Sequence, residues 1–179
     1  MKILSIAVMM MVAGQAMADV VFDDFSGDVG ARWDYVADGV MGGVSSGGAD
    51  IRGAGADAVL RLQGRVSTDN NGGFIQVRQR FSQPWPDTAQ GLSLRVKGNG
   101  ETYYVFLKTP GLSRVWHSYR ASFTALDQWQ TVHLPFAEFS PSHDSMPQSF
   151  TASRVNSIAI VAYGADYDAD VSVDRIALY

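Results

Sequence analysis

FIQVRQRF, residues 74–81, decides the fold. In an extended chain Ile75, Val77 and Phe81 fall on one side, and Gln76, Arg78 and Arg80 on the other. That two-residue period is the mark of a strand with one buried and one wet face. LSLRVKG, 92–98, repeats it, with Leu92, Leu94 and Val96 opposing Ser93, Arg95 and Lys97. Working outward, VLRLQGRV (59–66), TYYVFLK (102–108), SYRASF (118–123), WQTVHLPF (129–136), SIAIVAY (157–163) and VSVDRIALY (171–179) also read as strands. NNGG (70–73) and GNGE (98–101) lie between runs and supply the residues that tight hairpins need. No stretch longer than two turns carries a helical stripe. The chain therefore predicts an all-β fold, a β-sandwich or jelly roll, as a single domain over residues 19–179.

The first eighteen residues read differently. Lys2 precedes the apolar run Ile3–Val12, and Ala16-Met17-Ala18 forms a small-x-small ending. This is the pattern of a signal peptide cleaved after Ala18, so the mature chain is expected in the periplasm or outside the cell. No second apolar run is long enough for a membrane helix. The absence of cysteine excludes disulfides and thiolate metal sites. The formal charge of −4 argues against general nucleic-acid binding. It hides a pattern, because residues 61–120 hold nine basic and three acidic residues between two acidic flanks. That basic middle suits either a local anion or a solvated sheet face.

Several motifs imitate chemistry. GVSSG, 43–47, matches the G-x-S-x-G elbow of hydrolases, but no helix pattern follows Ser45, so a backbone role for the glycines is expected and no catalytic residue is assigned. GAGADA, 53–58, resembles a dinucleotide fingerprint, yet a strand pattern follows where a helix is required. DYDAD, 166–170, lacks the glycine and glutamate of an EF-hand. Calcium remains possible near the chain ends, where VFDDF and VDRI would bring Asp23 or Asp24 close to Asp174; no other cofactor is expected. His117, His133 and His143 share no metal-ligand spacing. The many aromatics suit either a sandwich core or a groove in which sugar rings stack on flat faces.

WDYVADGVMGGVSSG, LQGRVSTDNNGGFIQVR, LSLRVKGNGETYYVFL, SYRASF and WQTVHLPFAEF, taken in order, resemble the complex I intermediate-associated protein 30 family from about Trp33 to the C-terminus. The resemblance implies a galactose-binding-like jelly-roll sandwich. It also implies a non-catalytic protein-interaction or assembly-assisting role, since the family includes a factor assisting assembly of NADH:ubiquinone oxidoreductase. Envelope proteins would then be the partners. The alternative is a glycan, bound as by carbohydrate-binding modules. The family's motifs carry onto Gly39, Gly42, Gly43, Gly72, Gly73, Trp129 and Pro135 as structural positions. Ligand or partner candidates are Asp38, Ser45, Asn71, Arg78, Arg95, Trp116 and Tyr119. Of these, Asp38, Ser45, Asn71 and Arg78 either fix the glycine turns or form a convergent patch. After LPFAEF the chain reads SPSHDSMPQSF, where many members have a proline and an Arg-Gly-Arg-like segment.

Overall fold

The computed structural model describes residues 19–179, so the expected signal peptide at 1–18 lies outside the described residues. Two antiparallel sheets carry the chain. The first contains β1 (Val20–Asp23), β3 (Ser46–Arg52), β4 (Val59–Val66), β6 (Gly91–Gly98), β9 (Gln130–Pro135) and β12 (Tyr167–Leu178). Its order is β3-β4-β12-β6-β9, with β1 added along β12. The second contains β2 (Trp33–Ala37), β5 (Phe74–Arg80), β7 (Thr102–Lys108), β8 (Tyr119–Thr124), β10 (Ser140–Pro141) and β11 (Ser157–Tyr163). Its order is β10-β8-β7-β11-β5-β2. The remaining regular segments are short 3₁₀ turns, and no described helix is long and apolar enough to cross a membrane.

The alternation places the core as expected. Ile75, Val77, Tyr103, Val105, Leu107, Ile158 and Ile160 face inward from the second sheet, and Leu60, Leu62, Leu92, Leu94, Val96 and Ile176 from the first. Burying each of the large aliphatic side chains contributes about 1.5–3 kcal/mol, which makes this shared layer the main stabilising term. β11 is central in its sheet, paired with both β5 and β7. That explains why SIAIVAY is apolar on both faces: its first six residues are all buried.

Four strands, β1, β2, β3 and β10, carry weak or no alternation and were not legible in the sequence. β3 (SGGADIR) is an edge strand whose residues are exposed or half-buried. Its register is set by backbone contact, since Gly47 stands opposite Gly64. A Cβ on Gly64 would lie 2.2 Å from the Ser46 carbonyl, and its φ of +155° also disfavours a side chain.

The first and last described strands meet, because Asp23 stands opposite Ile176 where β1 pairs with β12. The arrangement that left calcium open there is not assembled among the described residues. Asp23 is buried and accepts from the backbone N–H of Phe25, the Trp33 indole N–H at 2.8 Å and the Arg32 guanidinium at 3.0 Å. Asp24 turns outward and accepts from Ser26. Asp174 sits at a bulge in β12 and takes Arg95 at 2.5 Å. Among the described residues no group of three or more His, Asp or Glu side chains is placed to hold a metal ion. Arginines, which the acidic spacing alone does not reveal, occupy two of the three carboxylates, Asp23 and Asp174.

Candidate functional site

Asp38 begins a 3₁₀ turn, Asp38–Met41, directly after β2. Its side chain is fully buried at 0% exposure. Oδ1 accepts the Ser45 backbone N–H at 3.0 Å, and Oδ2 accepts the Ser45 hydroxyl at 2.5 Å. Oδ2 also takes the backbone N–H groups of Gly73 (2.6 Å) and Phe74 (3.2 Å). One carboxylate thus joins the DGVMGG loop to the NNGG loop. Burial acts to raise its pKa, but the bonds from Ser45, Gly73 and Phe74 together outweigh burial and hold it below the usual carboxylate range.

The neighbouring glycines exist to make room. A Cβ on Gly43 would stand 2.3 Å from Asp38 Cγ, and one on Gly72 would stand 2.5 Å from Asp38 Oδ2. Gly42 closes the turn with φ +90°, while Asn70 and Asn71 take φ of +56° and +59°. Gly39 differs, with open space around it. Ser45 Oγ, besides donating to Asp38, accepts the Ser67 backbone N–H at 3.0 Å. Among the described residues its hydrogen-bond partners are Asp38 and Ser67 and no imidazole, so the G-x-S-x-G match is a turn bound to a carboxylate. Ser45→Ala is expected to cost about 1–3 kcal/mol, read by thermal unfolding, because it strands the Ser67 N–H.

The concave surface lies elsewhere, on the outward face of the second sheet. A cleft of about 830 Å³ runs across β2, β5, β7, β8 and β11, walled by the loop 109–116. Its floor follows from register. Arg78 stands opposite Ala159, Ala159 opposite Phe106, and Phe106 opposite Arg120. The small Ala159 leaves a trough between larger neighbours. The Arg120 guanidinium lies over the rings of Phe106 (4.5 Å) and Tyr163 (4.8 Å), which meet edge to face at 5.5 Å. Lys108 Nζ donates to the Val115 carbonyl and so holds the wall that carries Trp116. Trp116 is half exposed at 50%, with Arg114 over its ring.

The sequence candidates separate into three places. Arg78, Asn71 and Trp116 line the cleft. Asp38 and Ser45 are buried beneath the loops at its end and fix turns, as one of their two expected roles required. Tyr119 and Arg95 do not belong to the cleft. Tyr119 points into the core at 1% exposure and donates to the Ser149 carbonyl. Arg95 projects from the opposite sheet, where it pairs with Asp174 and covers Trp129. Pro135, opposite Gly91, ends β9. Sequence reasoning missed Phe106, Lys108, Arg120 and Tyr163. Their signal was present as the outward positions of TYYVFLK, SYRASF and SIAIVAY. The other aromatics divide likewise: Trp33, Trp85 and Tyr103 are core.

The two-sheet antiparallel sandwich is similar in fold to solved carbohydrate-binding modules. A family 11 module from Clostridium thermocellum, solved in complex with a β-1,3-1,4-mixed-linked tetrasaccharide, superposes with a TM-score of 0.75 at 18% identity, covering 92% of this chain and 96% of that one. The family 11 module of the cellulosomal cellulase Lic26A-Cel5E of the same organism gives 0.74 at 17%, covering 92% and 95%. A family 30 module gives 0.53 at 16%, covering 90% and 98%. None of the curated proteins matches the sequence significantly. The sequence profile of complex I intermediate-associated protein 30 (CIA30) matches residues 23–172. The chain belongs to the CIA30 family, and the jelly-roll expectation holds.

Proposed function

We propose that this protein is an exported, non-catalytic binding module that takes a glycan in the cleft of its second sheet. The observation that carries the reading is the floor of that cleft, where Phe106, Tyr163 and Arg120 form one stack and Trp116 stands half exposed on the rim. Flat faces suit the apolar side of a sugar ring, and guanidinium and amide groups suit its hydroxyls. The family 11 module that binds a mixed-linked tetrasaccharide supports the same use of the same architecture. Among the described residues no paired carboxylates line the cleft to act on a glycosidic bond, which favours binding without hydrolysis.

Binding to a glycan array, followed by titration with Trp116 fluorescence as the signal, tests the reading. Trp116→Ala is expected to weaken binding about tenfold, the worth of one stacked ring. A flat array, with no fluorescence change for any glycan, would remove the proposal. The protein-interaction reading draws on Val40, Met41 and Val115, which are exposed apolar residues along the same cleft. Recovery of one specific partner from envelope extracts, lost on Val40→Asp, would favour it instead.

A further inference from the structure

The cations of this protein are distributed unevenly between pairs and singles. On the first sheet Arg61 is held by Asp170 at 2.5 Å, Arg65 by Asp168 at 3.4 Å and Arg95 by Asp174 at 2.5 Å, and only Lys97 and Arg175 of its strands' cations stand outside ion pairs among the described residues. The cleft on the second sheet is lined by Arg78, Arg80, Lys108, Arg114 and Arg120 and, among the described residues, by no aspartate or glutamate. Among the described residues none of these five forms an ion pair. Asp34 stands opposite Arg78 in the β2–β5 register without pairing to it. Arg78 Nε is buried and has no hydrogen-bond partner. Burial, and then the charges of Arg78, Arg80 and Arg120, hold Lys108 below the ordinary lysine range.

A chain with formal charge −4 that gathers five unpaired cations in one trough holds them against their mutual repulsion. An unsatisfied buried guanidinium donor costs free energy until something accepts from it. The missing partner must bring negative charge and acceptor oxygens into an open trough about 830 Å³ in volume, beside exposed aromatic faces. We propose that the ligand is an anionic polysaccharide, whose sugars carry carboxylate or sulfate groups that are received by Arg78, Arg80 and Arg120. The inference rests on the glycan reading above and specifies its chemical class. Neutral glucans would leave the Arg78 donor and the charge cluster uncompensated. Carboxylate and sulfate both offer the paired oxygens that a guanidinium fork prefers.

Equilibrium titrations of the mature chain against four probes test this: a uronic-acid polymer, a sulfated galactan, a neutral mixed-linked glucan and a single-stranded oligonucleotide. One or both acidic glycans are expected to bind at least about tenfold more tightly than the neutral one, with affinity falling about tenfold as salt rises from dilute to near-molar. Preference for the uronate or the sulfated polymer identifies the anion. Arg78→Gln is expected to lower that affinity about tenfold or more, since a charge-assisted bond is lost. Its Nε makes no internal bond, so the fold should be unaffected; Arg120→Gln, which also loosens the aromatic stack, is read only beside an unchanged circular dichroism spectrum. Lys97→Gln, on the opposite sheet, should bind as the parent does. Salt-insensitive binding of the neutral glucan at equal or better affinity would overturn the anionic class and leave the glycan reading intact. Failure of all three glycans would overturn both. Oligonucleotide binding as tight as the acidic glycans would mean that charge alone is read, and would also overturn the proposal.

Discussion

Asp38→Ala is expected to lower the unfolding free energy by about 3–5 kcal/mol, as much as a large core truncation. The carboxylate accepts four hydrogen bonds from three residues in two loops, at zero exposure. Removing it leaves the Gly73 and Ser45 N–H groups with no acceptor, and each stranded buried donor costs about 1–3 kcal/mol. Chemical denaturation with an unchanged m-value would measure the loss. A drop under about 1 kcal/mol would mean that water replaces the carboxylate readily and that the loops are not joined through it. The pH dependence has a definite sign. Because Asp38 is held below its ordinary pKa, it stabilises the fold fully above the unfolded carboxylate range. That contribution disappears as pH falls through the lowered folded value. The variant should therefore lose less stability on acidification than the parent.

The second large effect is steric. Gly43→Ala puts a methyl group 2.3 Å from Asp38 Cγ and 2.4 Å from Oδ1, and the carboxylate cannot swing away without breaking its bonds. Overpacking of this kind costs about 3 kcal/mol. The informative experiment is the double variant. With the carboxylate removed by Asp38→Ala, the methyl at position 43 enters vacated space. The two substitutions should then be less than additive by at least about 1 kcal/mol. Strict additivity would refute the close approach as the reason for glycine at that position.

Much of this architecture was legible because alternation is local. The eight strands read from Val59 onward all form, and their inward residues follow the period except in VSVDRIALY, where a bulge after Val173 shifts the inward set to Ile176 and Leu178. SGGADIR was not legible as β3, because it is an exposed edge whose partner contact is between the backbones of Gly47 and Gly64. The site was half legible. Arg78, Asn71 and Trp116 were named and do line the cleft, whereas Tyr119 was named and is core. An aromatic residue offers the same payload to a core as to a groove, and sequence offers no means of choosing beyond the phase of its strand. For SYRASF that phase puts Tyr119 with Ala121 and Phe123 inside and Arg120 outside.

Arg78 and Arg95 show where the sequence stops. Both occupy the wet face of an alternating strand, in FIQVRQRF and LSLRVKG, and by local pattern they are equivalent. The period of two determined, from the sequence alone, that the chain layers into a sandwich and that each of these arginines faces away from the core. Only the tertiary structure decided that they face away in opposite directions, Arg95 to an aspartate on β12 and Arg78 into the cleft. The row Arg78–Ala159–Phe106–Arg120 joins residues from four separate strands through a strand order that is not the chain order. A residue's face is set by its own backbone dihedrals, but its neighbours across a sheet are set by which distant strands pack best together.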